Sequence, residues 1–365
     1  MLENIRAWIK LLSAPDIGSA KALRLVKNLG EPIEFLEKQN SPLEDISFIS
    51  TPARDYLQSS KDPENWQKVA GIIEKFHINF TTILDDNYPY ILKKIPDPPI
   101  WLFYRGELKE SDFTRSLGVV GTRKPSNYGK VQCQKIVSEL VEQKITIISG
   151  LAYGIDAIAH STTVRQKGRT IAVLGTGVEQ IYPPGNRQLA EKILGNGVIL
   201  SEYLPGSKIN LWNFPTRNRL ISGISQGTFV VEGGKKSGAM ITARYAREQQ
   251  RTVFTLPADI NRESSAGSNL LLQKGGYAVL KSDDILNTLG FSTVNKENPI
   301  AKLDNLNEFE LKIYNILLDV DEEIDFDRLL LMTKMQVSKL SSLLLSLELK
   351  GYLKKTAGNR IYVIR

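Results

Sequence analysis

Gly118-Val-Val-Gly121-Thr-Arg123-Lys124 is a short β-branched run, a glycine break and a pair of cations. The design returns three times before residue 257: Ile-Ile-Ser-Gly150-Leu-Ala-Tyr-Gly154, Ala-Val-Leu-Gly175-Thr-Gly177, and Val-Val-Glu232-Gly-Gly-Lys235-Lys236-Ser237-Gly238. Apolar runs of this length, alternating with helical patterns, predict βαβ units and a parallel sheet covered on both faces. In such a sheet the breaks fall together at the carboxyl ends of the strands, where ligands bind. Free N–H groups at helix starts, backed by the positive end of the helix dipole, suit phosphate.

Around this centre the spacing predicts strands at Thr81–Leu84, Ile100–Tyr104, Leu117–Val120, Ile145–Ile148, Thr170–Leu174, Gly197–Leu200, Thr228–Val231 and Arg251–Leu256. Helices are predicted at Tyr128–Glu142, Ile155–Gln166, Arg187–Leu194, Arg217–Ile224 and Ala239–Gln249. Residues 1–75 read as a helical domain. Its break Ser13-Ala-Pro15-Asp-Ile-Gly18 resembles a helix-hairpin-helix (SAM-like) element, although its net acidity favours a packing or dimer role. Residues 80–290 read as an extended Rossmann-like α/β domain and the polar stretch 291–307 as a linker. Residues 308–365 read as a winged helix, with Leu340, Leu343, Leu344 and Leu347 striping its third helix and Thr356–Asn359 joining its strands. So apolar a third helix, in a neutral segment, favours an auxiliary or protein-contact role over major-groove reading.

The chain carries a net charge of +7, and its distribution is more telling than its size. Residues 1–110 are net −2, residues 111–290 net +9, and residues 291–365 neutral. The excess lies on the segment with the glycine breaks, as on a phosphate or nucleic-acid surface. A single cysteine, Cys133, excludes an internal disulfide. With no signal peptide pattern and no membrane-length apolar run, a cytoplasmic, non-membrane protein is expected.

Small-nucleotide readings fail at particular residues. Gly175-Thr-Gly177-Val-Glu-Gln180 has glutamine where a dinucleotide fingerprint has its third glycine, and a P-loop ending at Lys236-Ser237 would need glycine at Val230 and Lys235. His77, His160 and Cys133 are too few for a zinc site, so neither metal nor cofactor is expected. Asp156 and His160, four apart on a helix, have the spacing of an acid–base pair, but local packing and capping explain them better. The cations remain: Arg123 and Lys124 after the first break, Arg217-Asn218-Arg219 on one helix, Lys235-Lys236-Ser237 before another. Arginine offers a planar fork for phosphate or a base edge and lysine a point charge. Tyr153, Tyr182, Trp212 and Phe214 offer rings on which unpaired bases can stack.

Gly121-Thr-Arg123, Ser149–His160, Tyr182-Pro-Pro-Gly-Asn186, Leu200-Ser-Glu202, Phe214-Pro-Thr-Arg217-Asn-Arg219, Lys236-Ser-Gly238 and Ser265-Ala-Gly-Ser-Asn269 together resemble the DNA-processing protein A (DprA/Smf) family over roughly residues 80–285. The resemblance implies a non-enzymatic, dimeric bacterial protein that binds single-stranded DNA and loads RecA recombinase onto it in natural transformation. It carries DNA binding to Arg123, Arg217, Asn218, Arg219, Lys236, Ser237 and Gly238, and more loosely to Lys208; the cation pattern itself adds Lys124 and Lys235 as DNA-binding candidates. An alternative, a LOG-like nucleoside-monophosphate phosphoribohydrolase, would use Glu232. That family's acid follows its glycines, whereas Glu232 precedes Gly233 and Gly234.

Overall fold

A computed structural model describes residues 1–36, 43–44, 46–292, 306–320, 324–356 and 360–363. Residues 1–293 form one compact unit and 294–365 a second. Most of the expected linker and the centre of the expected wing turn lie outside the described residues.

The first unit is built on nine strands: β1 (Asn79–Thr82), β2 (Trp101–Gly106), β3 (Ser116–Val120), β4 (Thr146–Ser149), β5 (Thr170–Val173), β6 (Val198–Ser201), β7 (Gly227–Val230), β8 (Thr252–Thr255) and β9 (Tyr277–Ala278). They pair in the order β1-β2-β6-β5-β4-β3-β7-β8-β9. From β6 to β9 every pairing is parallel; β1 and β2 add an antiparallel edge. The parallel centre agrees with the sequence reading, and the antiparallel edge is a detail that reading did not contain. A β-branched run reports burial but carries no sign of strand direction. The short β9, two exposed residues at the start of the apolar run Tyr277-Ala-Val-Leu280, was not among the predicted strands.

Strands β3 to β7 are buried along their whole length, because helices cover both faces. Alternation along β3 divides its side chains between two cores. Leu117 and Val119 pack with Ile136, Val137 and Leu140 of the helix Asn127–Glu142 and Ala159 of Ile155–Arg165. Val120 faces Leu220, Ile221 and Ala243 from the helices Asn213–Ile224 and Gly238–Glu248. The chain runs from β3 outward through β4 and β5 to β6, then returns to the far side of β3 as β7. The sheet order therefore reverses between β3 and β7, and a crevice opens above their carboxyl ends.

The N-terminal helices do not stand apart. Ile5 and Ile9 of Leu2–Ser13 and Val69 and Ile73 of Trp66–Phe76 share a core with Phe103, Ala172, Leu174 and Ile199 of the sheet. The boundary expected between residues 75 and 80 is thus a covered sheet edge, not a gap between compact units. The hairpin turn comes where expected, between Ser13 and Ser19, but Asp16 takes the positive φ (58°) while Gly18 stays at −90°.

In the second unit, helices Glu308–Val320, Phe326–Thr333 and Val337–Leu349 pack with a three-stranded antiparallel sheet: β10 (Ile324–Asp325), β11 (Leu353–Thr356) and β12 (Arg360–Val363), in the order β10-β12-β11. Its core joins Leu329, Leu340, Leu344 and Leu347 to Tyr352 and Ile361.

Candidate nucleic-acid interface

A cleft of about 430 Å³ occupies the crevice, and residues from three of the four glycine breaks line it. After β3 the Thr122 N–H donates to the Glu232 carbonyl at 2.7 Å, and the Thr122 carbonyl accepts from Ile155 N–H at 3.2 Å. With Thr122 pinned on both sides, Arg123 and Lys124 project exposed at the mouth. Gly154 permits this crossing of loops: it sits at φ 81°, and a Cβ there would meet the Thr122 carbonyl at 2.3 Å. Opposite lies the start of Gly238–Glu248. The Ser237 hydroxyl caps it by accepting from Ala239 N–H at 3.3 Å, so its positive end faces the cleft. Lys235 and Lys236 are exposed on the loop just before it.

The floor is basic in composition but already engaged. Arg217 is buried and caps strand ends. Its Nη1 donates to the Gly150 carbonyl at 2.9 Å and also to the Val173 carbonyl, while Nε donates to Asn218 Oδ1 at 3.2 Å. Burial pushes its pKa down, to about 10, so it remains charged. Asp156, also buried, accepts from Gly150 N–H (3.2 Å) and Ala152 N–H (3.4 Å); burial raises its pKa and nearby Arg217 works against the rise. Both side chains lie against Gly150, where a Cβ would stand 2.5 Å from Arg217 Nη2 and 2.9 Å from Asp156 Oδ2.

Arg219 is withdrawn altogether. Its guanidinium grips Glu202 through two bonds of 2.7 and 2.6 Å and reaches Asp97 at 3.1 Å. Burial opposes its charge, but the two carboxylates outweigh it and hold its pKa above the ordinary arginine value. These positions correct the sequence reading of a contiguous Arg217–Asn218–Arg219 strand-binding cluster. Arg217 faces the strand ends, Arg219 an ion pair, and the Asn218 amide donates to the Gly238 carbonyl at 3.4 Å. Of the ten residues singled out by sequence, Arg123, Lys124, Arg217, Asn218, Ser237 and Gly238 line the cleft. Lys208, Lys235 and Lys236 are exposed outside its lining, as Arg219 is buried outside it.

Aromatic rings flank this floor. Tyr182 and Phe214 pack at 5.2 Å between centroids and, with the half-exposed Tyr153, edge a smaller hollow of about 60 Å³ beside Arg123. Trp212, 80% exposed, precedes the same helix. Sequence reasoning missed Ile241 and Thr242, the fourth and fifth residues of their helix, which line the cleft. Their helical spacing alone could have placed them beside Gly238.

His160 and Glu232 turn elsewhere. The His160 imidazole is fully buried, with Nδ1 2.7 Å from Thr170 Oγ1, and burial followed by the charge of Arg217 pushes its pKa down to about 3. It is a neutral packing group without a hydrogen bond to Asp156. The Glu232 carboxylate accepts from Ser126 N–H (2.9 Å), Ser126 Oγ (3.0 Å) and Ser264 Oγ, at the start of Asn127–Glu142 and outside the cleft lining. Among the described residues, no cluster of three or more histidine, cysteine or acidic side chains could hold a metal ion, and no helix is long and apolar enough to cross a membrane.

Comparison with known proteins gives this geometry a context. The family model for DNA recombination-mediator protein A matches residues 79–290. The chain is 38% identical to the protein Smf of Synechocystis sp. over 314 residues, covering 77% of this chain and 79% of that protein. It is 40% identical to the DNA processing protein DprA of Bacillus subtilis over 222 residues, 61% of this chain and 75% of the relative. The structure of DprA from Streptococcus pneumoniae superposes with a TM-score of 0.64 at 34% identity, covering 78% of this chain and 95% of that one. That of the Helicobacter pylori protein, described for its single-stranded DNA binding mode, has a TM-score of 0.53 at 31% identity and covers 58% and 96%. The sheet, the motifs and the matched span agree: this chain belongs to the DNA recombination-mediator protein A (DprA/Smf) family.

Proposed function

We propose that the protein binds single-stranded DNA in the cleft above β3 and β7 and presents it to a RecA-type recombinase, acting without catalytic turnover in the cytoplasm, as a homodimer. One observation carries the reading: the exposed cations Arg123 and Lys124 face a capped helix start across a single cleft edged by aromatic rings. Arg123, Lys124, Lys235 and Lys236 supply charge for phosphates, and the Gly238 helix start adds its dipole. Tyr153, Tyr182, Phe214 and Trp212 supply faces for bases that a duplex would keep stacked inside. Arg217 and Asn218 support the floor, and Arg219 supports the fold. The binding reported in the description of the Helicobacter relative supports this assignment. The three donors that hold Glu232 disfavour the phosphoribohydrolase alternative. We read the second unit as a winged helix with an auxiliary role.

Anisotropy titrations with labelled single-stranded and duplex oligonucleotides test the proposal. Single strand binds more tightly, and its affinity falls with salt at a log–log slope of about −0.7 for each neutralised phosphate. Arg123→Ala weakens binding by about 1.5–3 kcal/mol, the range for hydrogen bonds to charged groups. Equal affinity for both DNA forms, or indifference to Arg123→Ala, overturns it. Capture of RecA by the DNA-bound protein, and a solution mass of two chains, test the partner and the dimer.

A further inference from the structure

The loop after β8 holds a second cationic and aromatic station. Arg262 lies with its guanidinium 5.3 Å from the ring centroid of Tyr128, and its Nη1 approaches Ser126 Oγ at 3.5 Å. Tyr128 is fixed at the other end, its hydroxyl donating to the Pro257 carbonyl at 2.9 Å, yet the residue is 36% exposed. The loop itself is anchored. Ala258 N–H donates to Asn269 Oδ1 at 3.2 Å, the Asn269 amide returns a bond to the Ala258 carbonyl at 3.0 Å, and Ser264 Oγ donates to Glu232. At its tip Ile260 is 88% exposed.

None of this is needed to close the cleft, and Arg262 and Tyr128 are not part of its lining. Nor are these cations neutralised: Lys124, Lys235 and Arg262 form no ion pair among the described residues, although Asp259 and Glu263 are exposed on the same loop. The topology places the station in line. Strands β4, β3, β7 and β8 are consecutive neighbours, each step about 4.8 Å. The loops at their carboxyl ends carry in turn Tyr153, Arg123 with Lys124, Lys235 with Lys236, and Arg262. Lys124 is two residues from Ser126, the group that Arg262 reaches.

We propose that a DNA strand held in the cleft continues over Lys124 and Lys235 onto the Arg262–Tyr128 pair. Arg262 takes a phosphate through its planar fork, and a base rests against the arginine–tyrosine stack. A mononucleotide would end at the cleft, whereas a polymer needs the next foothold along the same edge. The inference rests on the single-strand reading above.

The test is length dependence. Affinities are measured for thymidine oligonucleotides of about 5 and about 20 nucleotides, one near the short end and one beyond the long end of the usual footprint of roughly 4–16 nucleotides for a single-strand-binding fold. Arg262→Ala is expected to weaken the long oligonucleotide about tenfold and to make its salt slope shallower by about 0.7, with the short one unchanged. Arg262→Lys is expected to keep the slope. No change at either length, or an equal loss at both, overturns the proposal. Failure of the wild type to bind either oligonucleotide, or indifference to Arg123→Ala, instead removes the reading beneath it. If Arg262→Ala does not fold, photo-crosslinking of the wild type to a long oligonucleotide containing 5-iododeoxyuridine decides. An adduct on the peptide carrying Tyr128 supports the path, and adducts confined to other peptides overturn it.

Discussion

Arg217 carries a full charge in the floor of the cleft, and its hydrogen bonds end on two strand-end carbonyls and the neighbouring Asn218 side chain. Removing it strands Asp156 in a buried site and frees two strand-end carbonyls. Arg217→Ala is therefore expected to destabilise the fold by about 3–5 kcal/mol, read as a shift in the denaturation midpoint. Arg123→Ala, at an exposed site, should leave that midpoint within about 0.5 kcal/mol while weakening DNA binding. The two substitutions thus separate support from contact. His160 adds a pH signature. Its ordinary pKa near 6.5 is pushed down to about 3 in the fold, so it contributes stability that is complete above about 6.5 and is lost as pH falls toward 3. In that window the unfolded chain takes up the proton first, and stability falls by up to about 1.4 kcal/mol per pH unit. Denaturation at pH 7 and pH 5 should show this loss in the wild type and a smaller one in His160→Asn. Residue type in the sequence revealed charge at 123, 217 and 219 alike. It could not reveal that two of the three point inward, because that depends on how their helix wedges between the strand ends and Glu202.

At the scale of elements, the legible parts were those with a strong local signal. The β-branched runs located β3 to β8 to within a residue or two, since a strand buried on both faces admits small hydroxyl residues but no charged ones. The helix predicted at Arg217–Ile224 begins a turn earlier, at Asn213, because Pro215 is tolerated in a first turn. The fusion of the N-terminal helices to the sheet was not legible: an amphipathic helix declares an apolar face but not its partner. Ser237 joins the element scale to function. Its hydroxyl fixes the start of Gly238–Glu248, so Ser237→Ala should cost about 1 kcal/mol of stability by thermal melting and also weaken single-strand binding. A change in neither quantity would show that the cap is dispensable.

At the scale of the molecule, the cleft lies entirely within the first compact unit. Residues 1–293 expressed alone should melt in one cooperative transition and bind single-stranded DNA within about threefold of the full chain, a difference of about 0.7 kcal/mol. A larger loss would assign part of the strand grip to the second unit. The register of the central strands has a further consequence for the life of the protein. Leu117 pairs with Gly227 across the switch point, two positions separated by most of the sheet's chain length. During synthesis the first glycine loop therefore emerges long before the strand that completes its crevice, at about 5–20 residues per second. The nascent chain passes through lengths that already display Arg123 and Lys124 but lack the facing helix start. The facing arrangement of cations and helix start thus exists only in the finished sheet, and a ribosome-bound fragment would have the charge without the cleft.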